Sequence, residues 1–334
     1  MEKAFKENEG KVITGSLVEK TFIEIGGIQQ GFFIRTENPK NPIILFLHGW
    51  PGSPELPFIT SLELPERLEK YFTVCYWDQR GAGMSFKSSI DPKTMTVKQM
   101  VEDTRQMTEY LQQRFAQEKI YLMGYSWGSF LGIKTIEKYP QNYFAFIGIG
   151  QAVCVIESEK LAYDYMLEYA IKINDKSAIR KLKRIDKNSS DFPQIKYVMT
   201  TRTHLMTKYG IGITRQKIPL VNTLKSLLFF KGYTFFEKIN YARGSLFSLK
   251  HLWDEAFVEN LIRTSTTFEV PIYILHGKYD YTTSFTLARE YYEIIKAPKK
   301  AFFEFENSAH SPNMEEPEKF IEIIRSIASE LKEG

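Results

Sequence analysis

Ser126, Asp280 and His310 are the residues whose types and order could carry out a reaction together. Ser126 lies in Gly124-Tyr125-Ser126-Trp127-Gly128. A short apolar run rich in β-formers, Lys119 to Met123, leads into it. A helix-compatible segment from Ser129 to Tyr139, stopped by Pro140, follows. Between a strand and a helix, Gly-x-Ser-x-Gly describes a nucleophile elbow, a sharp strained turn that exposes the serine hydroxyl. A Cβ at Gly124 or Gly128 would crowd the backbones that such a turn brings together. Alone, the pentapeptide also fits a Gly/Ser loop with no chemistry, so the reading depends on an acid and a base elsewhere.

Both are available further along the chain. Asp280 falls in His276-Gly277-Lys278-Tyr279-Asp280-Tyr281-Thr282-Thr283, just past the carboxyl end of an apolar run, Val270 to Leu275. His310 follows the last such run, Ala301 to Phe305, in Asn307-Ser308-Ala309-His310-Ser311-Pro312, and it is the one histidine of five on a loop after the final strand. The order Ser, Asp, His is the one expected when the nucleophile sits on an elbow of an α/β sheet. In such a triad the imidazole takes the serine proton, and the carboxylate fixes the tautomer and stabilises the imidazolium. The reaction also needs donors for the oxyanion. Pro42 to Leu47 runs into His48-Gly49-Trp50-Pro51-Gly52, a loop placed to lend one backbone N–H, so the candidate donors are the N–H groups of Trp50 and Trp127. His48 is read as bonding within its own loop, and His276 as an end-of-strand structural residue. Asp78 and Arg80 are read as loop organisers. His204 and His251 have no motif around them.

The elements that must position these groups are legible as periodicity. Phe22 to Ile34 reads as a hairpin about Gly26-Gly27. Pro42–Leu47, Phe72–Trp77 and Tyr143–Ile149 read as buried strands, and Thr96 to Phe115 as a helix with a capping box of Thr96 and Gln99. Strands alternating with helices imply a mostly parallel, doubly wound sheet. The alternation breaks after Gly150 and resumes at Val270. Residues 152–257 therefore read as a helical cap inserted into a catalytic domain of residues 1–151 and 258–334. It would roof the carboxyl ends of the strands, where open α/β sheets bind ligands. Its stripe of Leu220, Leu224, Leu227, Leu228, Phe229, Phe235 and Phe236 either packs within the cap or faces the cavity.

Composition excludes several classes. The chain has 334 residues, 43% hydrophobic and 14% aromatic, enough for one large core or one core with an inserted subdomain. A net charge of +4 does not argue for nucleic acid. The charge is uneven, however: Ala152 to Glu255 holds 18 Lys/Arg against 10 Asp/Glu, a surplus of +8 that leaves −4 for the rest. Its densest part, Arg180-Lys181-Leu182-Lys183-Arg184, reads as a solvated helix face, with attraction of anionic ligands or lipid headgroups as the other reading. No apolar run has bilayer length, since Ile218 to Phe236 is broken by Lys225 and Lys231. The mixed-charge start, Met1 to Gly10, lacks the apolar core expected of a signal peptide. A cytoplasmic protein is expected. Cys75 and Cys154 are too few for a disulfide framework or a cysteine-built zinc site.

With these pieces in order, the chain resembles an α/β-hydrolase of the prolyl aminopeptidase (proline iminopeptidase) type. The resemblance rests on His48-Gly49-Trp50-Pro51-Gly52, Asp78-Gln79-Arg80-Gly81-Ala82-Gly83, Gly124-Tyr125-Ser126-Trp127-Gly128-Ser129, Asp280 and His310. It implies release of an N-terminal residue, often proline, from a small or peptide substrate, with no metal or cofactor. The family loop usually reads His-Gly-Gly-Pro-Gly, so Trp50 adds an indole beside the oxyanion site. Family aminopeptidases hold the substrate α-amine with acidic cap residues; Glu157, Glu159 and Glu237 are the candidates, though no motif selects them. Epoxide hydrolases share the Trp50 loop but carry an aspartate where this chain has Ser126. A carboxylesterase or amidase would use the same triad and differ in the cap. A non-catalytic ligand-binding homologue is the alternative of another class, and such proteins commonly lose a triad residue.

Overall fold

The chain begins its described course with a two-stranded ribbon that becomes the edge of a larger sheet. In the computed structural model, residues 13–330 are described, except 63 and 65, and the N-terminal stretch Met1 to Gly10 lies outside them. Strands β1 (Leu17–Ile25) and β2 (Ile28–Thr36) pair antiparallel in register Ile25↔Ile28 across the Gly26-Gly27 turn. The remaining strands are β3 (Ile43–Leu47), β4 (Thr73–Trp77), β5 (Ile120–Tyr125), β6 (Tyr143–Ile149), β7 (Ile272–Gly277) and β8 (Lys300–Phe305). They complete an eight-stranded sheet of order β1-β2-β4-β3-β5-β6-β7-β8. From β4 to β8 every pairing is parallel.

A parallel strand covered on both faces has no polar side, and β3, β4, β5 and β7 are accordingly buried along their whole length. Strand parity divides the core. Ile43, Leu45, Leu47, Ile120, Leu122, Ile272 and Ile274 pack with helices α2 (Val97–Phe115), α3 (Trp127–Lys138) and α11 (Phe285–Ile294). Ile44, Phe46, Tyr121, Met123, Tyr273 and Leu275 point to the other face, against the short α1 (Leu56–Ile59) and the C-terminal α13 (Pro317–Glu330). At α2, Thr96 accepts from the Gln99 N–H at 3.1 Å, but the Gln99 side chain donates to Asp103 at 2.7 Å. Only half of the expected capping box forms, because Asp103 offers a charged acceptor one turn away.

Between β6 and β7 the chain is helical: α4 (Val155–Lys172), α5 (Lys176–Leu182), α6 (Ile195–Tyr197), α7 (Thr203–Tyr209), α8 (Leu220–Phe229) and α9 (Phe235–Val258). Helices α10 (Leu261–Thr264) and α12 (Pro312–Glu315) are single turns near β7 and after β8. The segment has a small core of its own, including Ala162, Met166, Leu182, Leu205, Met206 and Trp253. It touches the loops at the carboxyl ends of the strands. The Tyr233 hydroxyl donates to Asp78 at 2.7 Å, Ser248 to Gly81 O at 3.0 Å, and the N–H groups of Tyr281 and His310 donate to Ile211 O and Gly212 O. Arg180, Lys181, Lys183 and Arg184 are all solvent-exposed around a buried Leu182, near the C-terminus of α5 where positive charge is favourable. Among the described residues, no helix is long and apolar enough to cross a membrane.

Candidate active site

Ser126 occupies the turn between β5 and α3, with φ 53° and ψ −116°. A non-glycine residue in that region is strained, and the strain is held by packing on both sides. A Cβ on Gly124 would fall 2.2 Å from Gly128 O, and one on Gly128 would fall 2.1 Å from Leu47 O. Neither backbone could yield, so glycine at both positions is what lets β5 turn into α3 against β3. The Ser126 N–H donates to Ile149 O, at the end of β6, at 2.9 Å.

The other two residues meet at the same edge. His310 Nδ1 and Asp280 Oδ2 are 2.7 Å apart, both side chains buried. His310 rests against Gly150, the residue after Ile149: a Cβ there would lie 2.9 Å from its Cε1 and Nδ1. Its ring also lies 5.0 Å from that of Tyr125, next to Ser126. Asp280 Oδ1 accepts from the N–H groups of Thr282 and Thr283 at 2.7 and 3.1 Å, and Oδ2 accepts from the Thr283 hydroxyl at 2.9 Å. Burial works to raise the Asp280 pKa, but the His310 and His276 imidazoles outweigh it and hold the carboxyl well below the usual range.

His276 lies buried near the end of β7. The Gln151 N–H donates to its Nδ1 at 3.1 Å, which puts the ring proton on Nε2. That Nε2 lies 3.1 Å from Asp280 Oδ2, without the angle of a hydrogen bond. A second imidazole thus faces the acid, four residues before it and on the same strand end.

The loop after β3 is fixed by buried His48 and Gln79 and by half-buried Glu55. His48 bonds within its own loop, as its sequence context implies. Its Nδ1–H donates to Gly49 O at 2.9 Å and its Nε2 accepts from the Gln79 N–H at 3.2 Å. Burial pushes its pKa down to about 4, so the ring is neutral. Gln79 bridges the loop after β3 and the start of α3: its amide donates to His48 O at 3.2 Å, and its oxygen accepts from the Trp127 indole at 3.1 Å. Glu55 Oε1 accepts from the Gly49 N–H at 2.7 Å while Oε2 is closed off from solvent and unpartnered, and burial drives this carboxyl well above its ordinary pKa. Trp50 has φ 26°, and its indole packs edge-on against Trp253 of α9 with ring centroids 6.1 Å apart. Asp78 and Arg80 organise their loop as expected. Asp78 accepts from the Met84 N–H, and Arg80 forms a buried ion pair with Asp103 at 2.7 Å.

The three cap glutamates do not converge. Glu157 pairs with Lys160 at 2.9 Å with its side chain 48% exposed. Glu159 is buried against Arg202 at 2.7 Å. Glu237 pairs with Lys20 at 2.6 Å and completes a capping box with Thr234. Each carboxylate has a cation of its own.

A strand-turn-helix serine, an imidazole bonded to a carboxylate on the next loops, and a helical segment over the strand ends are the geometry of one fold family. A family profile described as alpha/beta hydrolase fold matches residues 42–317. The chain belongs to that family. The hydrolase is 33% identical to the probable aminopeptidase YbaC of Bacillus subtilis (strain 168) over 307 residues, 90% of this chain and 93% of the relative. It is 24% identical over 319 residues to a proline iminopeptidase of Saccharolobus solfataricus, covering 94% of this chain and 93% of the relative. Among solved structures, the proline iminopeptidase-related protein of Thermus thermophilus superposes with a TM-score of 0.64 at 17% identity, over 92% of this chain and 96% of its own. Gln79, Glu55 and His276 escaped sequence reasoning as site supports. For Gln79 the signal was its place between Asp78 and Arg80, whereas Glu55 carried none.

Proposed function

We propose that this hydrolase is a serine aminopeptidase of prolyl type, working through an acyl-enzyme on Ser126. His310, its Nδ1 held by Asp280, takes the Ser126 proton on Nε2 as Oγ attacks the scissile carbonyl. The oxyanion that forms accepts from the N–H groups of Trp50 and Trp127, the latter at the positive N-terminal end of α3. Collapse expels the amine, which leaves with the proton from His310. Water, deprotonated by the same imidazole, then frees the acid and restores the serine. Residues 152–257 act as the cap that closes the cleft. The observation that carries the reading is the 2.7 Å Asp280–His310 contact at the strand edge that also anchors Ser126. The aminopeptidase specificity draws on the names of the relatives.

One observation favours a second reading, a carboxylesterase or amidase acting on plain acyl groups. A free α-amine needs a carboxylate not already neutralised, yet Glu157, Glu159 and Glu237 are paired with Lys160, Arg202 and Lys20. The deciding comparison is between prolyl, alanyl and leucyl arylamides, their N-acetyl forms, and aryl esters of acetate through octanoate. An aminopeptidase loses most of its kcat/KM when the amine is acetylated, because the partner carboxylate is left buried and unpaired. Turnover of acetylated amides and plain esters as fast as free-amine substrates would establish the esterase instead. In both cases a fluorophosphonate probe should label Ser126, and Ser126→Ala or His310→Ala should lower kcat by roughly 10³- to 10⁶-fold in a folded protein. Labelling of a different serine would refute both readings.

A further inference from the structure

Helix α8 is amphipathic in the wrong direction for a helix that only covers its own protein. Ser226, Leu227 and the following Phe230 face inward. Ser226 Oγ donates to Ser61 Oγ at 2.9 Å, Leu227 packs on the core beneath, and the Phe230 ring lies 5.8 Å from that of Phe33. At 100° per residue, Val221, Leu224, Leu228 and Phe229 then form the opposite face, and all four are exposed, Leu228 to 59% and Phe229 to 75%. Lys238 of α9 donates to Leu228 O at 2.6 Å and so holds the first turn of α9 beside the last turn of α8. That turn adds Phe235 and Phe236, exposed to 71% and 75%, with rings 5.8 Å apart. The stripe read from the sequence as cavity-facing or cap-packed is neither: only Leu227 packs inward, and Leu220 lies outside the residues whose side chains are described.

The segment that carries this patch is predominantly basic. From Ile211 to Arg243 the sequence holds six Lys/Arg and one carboxylate, Glu237, which is engaged by Lys20 and by the Thr234 N–H. Lys217, Lys225 and Lys231 are exposed, and Lys225 shares the outward face of α8. Exposed aromatic and aliphatic side chains interleaved with ammonium groups on one face of a helix match the chemistry of a bilayer interface, where acyl chains take the apolar groups and phosphates take the lysines. Symmetric pairing with a second copy would bury the same apolar area but bring Lys225 and Lys231 against their own equivalents.

We propose that the α8–α9 face docks this hydrolase reversibly on an anionic lipid surface. The proposal is independent of which substrate the active site accepts. Flotation of the full-length protein with phosphatidylcholine vesicles, with and without about 30 mol % phosphatidylglycerol, tests it. Binding is expected to the anionic vesicles and to weaken as salt is raised. It should fall by roughly tenfold or more both in Lys225→Glu/Lys231→Glu and in Phe229→Ser/Phe235→Ser/Phe236→Ser, with thermal midpoints near that of the parent. Failure of the parent protein to float with anionic vesicles would overturn the proposal. So would binding that ignores both sets of substitutions, or a parent dimer that the phenylalanine variant dissociates while vesicle binding is absent.

Discussion

At the residue scale, the acid of the candidate triad is unusually well supported. Asp280 faces two imidazoles, and the His276 tautomer is set from outside by the Gln151 N–H. His276 is therefore expected to act as a positioning residue, with its Nε2 set 3.1 Å from the carboxylate that meets His310. His276→Leu removes both of its polar contacts, and kcat should fall roughly tenfold with KM little changed. His276→Gln offers an oxygen to Gln151 and an N–H to Asp280, and it should recover most of the loss. A kcat for His276→Leu equal to the parent's, with only a lowered thermal midpoint, would reduce the residue to a structural one.

At the scale of elements, the site depends on three turns being locked to one another. The loop after β3, the loop after β4 and the elbow after β5 meet at the point where the strand order reverses about β3, so the crevice opens between them. Gln79 ties the first to the third, and Glu55 ties the first to α1. Burial raises the Glu55 carboxyl well above its ordinary pKa, and its Oε1 accepts from the Gly49 N–H. Glu55→Gln preserves that acceptor, and activity should stay close to the parent's. Glu55→Ala orphans a backbone N–H, which costs about 1–3 kcal/mol, and it should loosen the loop that carries Trp50. Chemical denaturation and kcat measured on the pair check this; equal behaviour of the two variants would deny Glu55 the role.

At the scale of the whole molecule, the helical segment is fastened to the sheet partly through a titratable group. Asp78 receives the Tyr233 hydroxyl and the Met84 N–H, and burial raises its pKa from 3.8 to about 7. Between those two values the folded state binds a proton that the unfolded chain has lost. Ionisation of Asp78 therefore costs stability as pH rises through that window, and the loss is complete above about pH 7. Asp78→Asn should remove this component. The denaturation midpoint of the parent, relative to the variant, should fall between about pH 4 and pH 7 and stay level above it. An unchanged difference would mean that Asp78 is ionised throughout.

Much of this molecule was fixed by local chemistry and could be read directly. The β-rich runs into Leu47, Met123, Ile149 and Leu275 could only be buried strands, since a parallel strand with both faces covered must be apolar throughout. Gly124 and Gly128 announced the elbow because no side chain fits there, and Pro140 marked the end of α3. The order Ser126, Asp280, His310 followed once those strands were placed. What the tertiary structure decided were pairings between residues far apart in sequence: Gln151 with His276, Gln79 with Trp127, Arg202 with Glu159. A lone Glu or His carries no periodic signal, and its role depends on which backbone donor or charge folding brings within about 3 Å. The same holds for α8. Its amphipathic pattern was plain in the sequence, but which of its faces would meet the protein was settled only when Leu227 and Phe230 found the core and left Phe229 outside.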